Sequence, residues 1–232
     1  MSGGFRTDPV LAARGVRHGF GLRGAHPPRG LVRPRQVHGC AVARVWGGRA
    51  EPREADAIVS SDPAHPVAVV TADCLPILLC SESGEAVAAV HAGWRGLAAG
   101  VVGAGVEALL AAARGAELRA AIGPHIGRCC YEVDEPVLAR LRLRFGAELA
   151  VALVPTRPGC GRLDLGALAR AELARAGIAA DAVGTAAVEC TRCDPERFYS
   201  YRRDGPGAGR LVSYIAPAPG PADGLDTPRG PA

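Results

Sequence analysis

The hydrophobic positions fall into short apolar runs separated by turn residues, and each run has the length of a strand or a helix. Ala41 to Trp46 and Ala57 to Ser60 read as short strands. Val67 to Thr71 and Ile77 to Cys80 are apolar runs on either side of the abrupt segment Ala72-Asp73-Cys74-Leu75-Pro76. Ser81-Glu82-Ser83-Gly84 is a turn signal and Ala86 to Val90 a further strand, so residues 77–90 are predicted to form a hairpin. Residues 96–113 have the composition of a buried helix, with a stop at Arg114-Gly115. Leu118 to Ile122 predicts a strand ending at Gly123-Pro124. Glu135 to Phe145 and Leu165 to Ala176 carry helical spacing, and Asp164 is placed to cap the second. Ala182 to Val188 and Leu211 to Ile215 read as strands.

Outside these elements, residues 1–30 show little periodicity. Residues 216–232 hold five Pro and three Gly in 17 positions, which predicts a flexible tail with no core to join. There is no internal repeat. Strands and helices alternate irregularly around a central hairpin, which favours a single mixed-sheet α+β domain over residues 1–215 rather than a doubly wound parallel sheet. A chain of 232 residues suits one sizeable core.

Composition narrows the function. Hydrophobic residues make up 48% and charged residues 22%, which excludes wholesale disorder. No run reaches the roughly 18 apolar residues of a membrane span. The N-terminus lacks an apolar signal-peptide core, and the eight Cys have no small-scaffold disulfide rhythm; together these predict reduced thiols in the cytoplasm. The net charge of +4 is carried by 27 basic residues that are all Arg, so any bound anion must be held by Arg, His or backbone N–H. Those Arg are scattered and only 4% of residues are aromatic, which argues against a nucleic-acid partner. No GxGxxG or P-loop opens a helix, so nucleotide binding by those routes has no support.

Three chemically capable groups stand at predicted strand edges: His38 in Arg35-Gln36-Val37-His38-Gly39, Cys74, and His91 at the start of His91-Ala92-Gly93-Trp94-Arg95-Gly96. Their separations of 36 and 17 residues are too wide for a zinc finger but suit ligands assembled by a fold, with a fourth position left open. Two imidazoles and a thiolate fit zinc, with copper as a rival. Two other readings stay open: a nucleophilic Cys74 activated by His91 with Asp73 nearby, and an ordinary buried thiol beside hydrogen-bonded histidines.

Those motifs, with Ala55-Asp56-Ala57, Gly123-Pro124 through Cys129-Cys130-Tyr131-Glu132-Val133, and Phe198-Tyr199-Ser200-Tyr201-Arg202-Arg203-Asp204, resemble the YfiH-type laccase-domain family from about residue 18 to 215. That family is also called multicopper polyphenol oxidoreductase, and its bacterial members are described as purine nucleoside phosphorylases. The resemblance implies an α/β/β/α-type sandwich of mixed sheets, with His38, Cys74 and His91 as zinc ligands. It implies phosphorolysis of adenosine, inosine and 5′-methylthioadenosine, with adenosine deamination on the same site. The partners are then purine nucleosides and phosphate, with no nucleic acid and no membrane; the oligomeric state is left open.

Within that frame Asp73 is the candidate proton carrier and Arg95, four residues after His91, the candidate phosphate holder. Arg23 resembles the family's N-terminal Arg motif and is a second phosphate candidate. Gln36, the sole carboxamide side chain, is a candidate for base or ribose, with a turn role as the alternative. Cys129 and Cys130 are candidates to line the pocket. Cys190 and Cys193 form a lone CxxC, read as loop packing, and Arg202 and Arg203 are read as half structural, in a loop pairing with Asp204. Two departures stand out: only 12 residues separate Arg23 from Gln36, where relatives carry a longer segment with a helix, and His125 sits where small residues are usual. The rival functions are a copper-dependent polyphenol oxidase, for which six scattered His are few; a Cys74–His91 hydrolase of cell-wall precursors; and a non-catalytic protein with a structural zinc.

Overall fold

A computed structural model of the protein describes residues 4–219. The most apolar runs form the centre of a seven-stranded sheet. Its order is Val183–Gly184, Leu118–Ile122, Leu75–Ser81, Val87–Ala92, Ala57–Ser60, Val42–Trp46, Arg49–Glu51. Two neighbouring pairs are parallel, Val183–Gly184 with Leu118–Ile122 and Val42–Trp46 with Ala57–Ser60; the others are antiparallel, so the sheet is mixed. Every residue of Leu75–Ser81 and Val87–Ala92 is buried, because both faces of the sheet are covered. Near-continuous apolar runs, rather than alternation, are what such strands require.

Helices cover one face: Trp94–Ala99, Val101–Ala112, Glu135–Phe145 and Leu165–Arg175 enclose a core with Ile77, Leu79, Val90, Val106, Leu109 and Leu141. The other face packs on an antiparallel sheet of order Phe5–Arg6, Arg17–Gly21, Leu211–Ala216, Val67–Thr71, with Phe20, Ile58, Val69, Leu78 and Ile215 between the sheets. A small sheet of Glu132–Asp134, Cys160–Leu163 and Leu153–Arg157 stands beside the helices. The mixed-sheet α+β architecture agrees with the pattern of the sequence.

Several expectations are corrected. The helix expected over 96–113 is two helices, Trp94–Ala99 and Val101–Ala112, broken at Gly100, whose φ of +84° lies in the left-handed region. The strand expected over 182–188 is only Val183–Gly184, preceded by a 3₁₀ turn at Ala180–Ala182. The aperiodic N-terminus contributes the strand Arg17–Gly21, four of whose five residues are buried. Residues 216–218 of the expected tail are ordered: Ala216 ends a strand, and the Ala218 N–H donates to the Gly84 carbonyl at 2.8 Å. Residues 220–232 of that tail lie outside the described residues. The short segment 24–35 contains no helix and is tied down by an isolated bridge between Val32 and Val67.

Candidate metal centre

The sheet brings two of the three donors to one of its ends. Leu75–Ser81 and Val87–Ala92 pair so that Pro76 faces His91 and Leu75 faces Ala92. Cys74, one residue before the first strand, therefore lies next to His91 near the end of the second. His38 arrives on the loop 37–39, and the anchor of that loop is Asp56, fully buried just before the strand Ala57–Ser60. Asp56 accepts N–H groups from Val37, His38 and Gly39 at 3.2, 2.9 and 2.7 Å, and its Oδ1 accepts Nδ1–H of His91 at 2.8 Å. One carboxylate thus fixes the His38 loop and turns the Nε2 of His91 toward the cluster, the usual arrangement behind a metal-bound imidazole.

The donor atoms of His38, Cys74 and His91 all lie within 4.8 Å of one another, with His38 Nε2 4.0 Å from Cys74 Sγ. Tetrahedral zinc with N and S ligands sets edges of about 3.6 Å, so closing the set on an ion takes a contraction of up to about 1 Å, and only a few tenths for the His38–Cys74 pair. The residues therefore fit a metal: two imidazoles, one thiolate, and an open side toward a cavity. The backbone is bent to suit, with His38 at φ +61° and Asp73 at φ +88°, conformations that non-glycine residues seldom adopt. Gly93 leaves room for the sulfur: a Cβ there would lie 2.8 Å from Cys74 Sγ.

The charges follow the geometry. Burial alone would push the Cys74 thiol up, but hydrogen bonds from His38 and His91 outweigh it and hold it at about 6. Burial likewise opposes a charged His91, and the bonds to Asp56 and Cys74 overcome it and raise the ring to about 9. Asp56 is desolvated as well, yet the His91 ring and the three backbone N–H groups keep it below the usual carboxylate range. The centre therefore favours a thiolate, the form that binds metal.

The three donors open into a cavity of about 900 Å³. Its lining includes Arg33, Arg35, Arg53, Arg95, Arg202 and Arg210, with Asp73 as the single carboxylate among the described residues. Among the described residues Arg33, Arg53, Arg95, Arg202 and Arg210 pair with no carboxylate, whereas Arg35 pairs with Glu54. Trp94 and Tyr131 lie in the same wall, and the Arg95 and Arg202 guanidiniums sit over their respective rings at 4.7 and 5.0 Å. Thr71 is among the lining residues, and its buried Oγ1 has no hydrogen-bond partner among the described residues.

The other sequence candidates divide. Asp73 and Arg95 line the cavity. Asp73 accepts the Thr191 hydroxyl and the Arg202 N–H, each at 2.6 Å, so it also ties down the loops around the centre. Gln36 touches the cavity, but its carboxamide is engaged with the Val70 backbone, donating to the carbonyl at 2.8 Å and accepting the N–H at 2.7 Å. It extends the edge of the strand Val67–Thr71 as a backbone segment would. Arg23 is not among the cavity residues; its guanidinium lies over Tyr199 at 4.4 Å and its N–H binds the Arg197 carbonyl. Cys129 and Cys130 are also absent from the lining and meet Cys190 and Cys193 instead. The sequence carried no local sign of the anchoring role of Asp56, of the unpartnered Thr71, or of the converging arginines. Their partners are remote in the chain, and Arg is common throughout it.

A mixed-sheet α+β domain with a His–Cys–His centre at a sheet end defines a class for which relatives exist. The chain belongs to the family described as multi-copper polyphenol oxidoreductase laccase, whose pattern matches residues 16–218. It is 43% identical over 175 residues to a purine nucleoside phosphorylase of Xylella fastidiosa, covering 73% of this chain and 66% of that protein. It is 40% identical over 219 residues to a purine nucleoside phosphorylase of Streptomyces coelicolor, covering 93% of this chain and 86% of that one. The crystal structure of YlmD from Geobacillus stearothermophilus superposes with a TM-score of 0.80 at 25% identity, covering 93% of this chain and 99% of that one.

Proposed function

We propose that this protein is a zinc-dependent purine nucleoside phosphorylase that acts on adenosine, inosine and 5′-methylthioadenosine and also deaminates adenosine. The observation that carries the reading is the junction of a three-donor centre with an arginine-rich cavity. A nucleophile activated by one histidine would have no need of His38, whereas a metal uses all three donors. Held by His38, Cys74 and His91, zinc would supply Lewis-acid polarisation of substrate or water. The N₂S donor set accepts zinc and copper alike, and zinc is chosen because the reaction needs a Lewis acid with an open position and no redox change.

The chain's own residues account for the rest of the reaction. Arg95 and the unpaired Arg33, Arg53 and Arg210 hold phosphate in the cavity, where guanidinium forks suit its oxygens. A phosphate oxygen bonds C1′ of the ribose as the C1′–N9 bond breaks, and its electron pair leaves with the purine. The sugar passes through a cation-like state, which the held anion stabilises. Trp94 and Tyr131 line the same wall and offer aromatic surface to the base. Asp73 moves protons: an ionised carboxylate has about four acceptor positions, so its two internal hydrogen bonds leave capacity for substrate. In deamination, water replaces ammonia at C6 of adenine and the same carboxylate carries the proton.

The test is product analysis on metal-replete protein with a nucleoside panel, with and without phosphate, alongside a phenol-oxidation assay and a metal count on protein purified without added copper. Zinc content, ribose 1-phosphate formed only with phosphate, and ammonia from adenosine are expected. Phenol oxidation that depends on copper, without base release, would favour the oxidase instead.

A further inference from the structure

A second group of metal-capable side chains lies away from the cavity. Cys129 and Cys130 belong to a turn in which the N–H groups of Cys130 and Tyr131 both donate to the Gly127 carbonyl. Cys190 and Cys193 belong to another turn, closed by the Cys193 N–H donating to the Cys190 carbonyl at 3.2 Å. The two turns, some sixty residues apart, are laced together by His125 N–H to the Glu189 carbonyl and Thr191 N–H to the His125 carbonyl, at 3.1 and 3.0 Å. All four thiols are free, and their sulfurs lie within 4.8 Å of one another. Cys193 Sγ is 3.6 Å from Cys129 Sγ and 3.4 Å from Cys130 Sγ.

We propose that Cys129, Cys130, Cys190 and Cys193 form a second metal site, a tetrathiolate that takes a thiophilic divalent cation, zinc by preference, and staples the two loops. Zinc–sulfur bonds near 2.3 Å set tetrahedral S–S edges of about 3.8 Å; the Cys193 sulfur already lies 3.4 and 3.6 Å from two of its partners, and all four sulfurs lie within 4.8 Å. Four protein ligands fill the coordination sphere, so this site is structural, unlike the three-donor centre with its open side. The Gly127 N–H already donates to Cys190 Sγ at 3.2 Å and orients it as a ligand. Arg192, between the two ligands Cys190 and Cys193 in the chain, carries a positive charge that offsets part of the negative charge four thiolates leave around a divalent ion. Four thiolates this close would repel one another without a cation between them. Binding breaks four S–H bonds, forms four S–metal bonds and sends the protons to solvent; no electrons move.

The staple matters to the first centre because Thr191, between two of the ligands, donates its hydroxyl to Asp73 at 2.6 Å. A closed tetrathiolate thus fixes the loop that holds the residue next to Cys74.

The experiment counts zinc per chain in protein kept reduced, equilibrated with zinc and dialysed. Wild type is expected to hold two, Cys74→Ala one, and Cys190→Ser/Cys193→Ser one. Loaded with cobalt(II), Cys74→Ala is expected to keep an intense near-ultraviolet sulfur-to-cobalt absorption. That spectrum decides the matter even where the serine variant does not fold. A single wild-type zinc that is lost in Cys74→Ala, a second zinc that survives both serine substitutions, or no cobalt–sulfur band in Cys74→Ala would each overturn the site.

Discussion

Asp56 illustrates how much a single carboxylate can organise. Its four hydrogen bonds come from three consecutive backbone N–H groups and from the His91 ring. Asp56→Asn keeps the shape but offers one acceptor oxygen and adds an amide that faces donors. Zinc affinity of the three-donor centre is expected to fall about 10–100-fold, the cost typical of losing a partner behind a metal-bound histidine. Competition against a chelator in a Cys190→Ser/Cys193→Ser background reads this directly, and unchanged affinity would deny Asp56 the role. At this scale the convergence of His38, Cys74 and His91 was legible in the sequence, because they are chemically distinctive groups at strand edges. Asp56 was visible only as part of a familiar motif. The carboxamide of Gln36 was assigned to substrate or turn, and its pairing with Val70 depends on a strand 34 positions away.

Among the elements, the hairpin is the one that assembles the centre, and its apolar runs and intervening turn made it readable. The helix expected over 96–113 was legible as helix but not as two helices. Ala and Gly composition hides the break at Gly100, which depends on a positive φ and on Arg144 packed against it. A Cβ at Gly100 would sit 2.8 Å from the Arg144 guanidinium, so Gly100→Ala combines backbone strain with a displaced ion pair to Glu172. We expect a loss of about 1–3 kcal/mol and a lower Tm, with zinc content unchanged. A variant as stable as wild type would show that this break carries no conformational demand. The strand Arg17–Gly21 escaped notice because its polar His18 and two glycines break the apolar pattern; tertiary pairing with Leu211–Ala216 makes it a strand.

Across the whole molecule, buried neutral histidines tie stability to pH. Burial holds His18 below the ordinary imidazole value of 6.5, and its Nε2 accepts the Asp8 N–H at 2.9 Å. Burial lowers His125 in the same way, with its Nδ1 2.8 Å from the Gly123 carbonyl. The unfolded chain therefore takes up protons first as pH falls. The contribution of these rings is complete above about 6.5 and is lost as pH drops toward their lower folded values. Melting curves between pH 7.5 and 5 should show a steeper fall in Tm for wild type than for His18→Gln/His125→Gln; parallel slopes would contradict it.

The same scale explains what the sequence concealed. Six arginines at positions 33, 35, 53, 95, 202 and 210 share one cavity, although of these only Arg95 stood out in the sequence as an anion holder. Their convergence makes the surroundings of the three-donor cluster a candidate site for an anion and a nucleoside together. The most direct measurement is hypoxanthine release from inosine by zinc-replete protein as phosphate is varied. Release is expected to be absent without phosphate, to saturate with it, to yield equimolar ribose 1-phosphate, and to be abolished in Cys74→Ala. Zinc-replete protein that releases no base at any phosphate concentration, or releases it equally in Cys74→Ala, would contradict the proposed function.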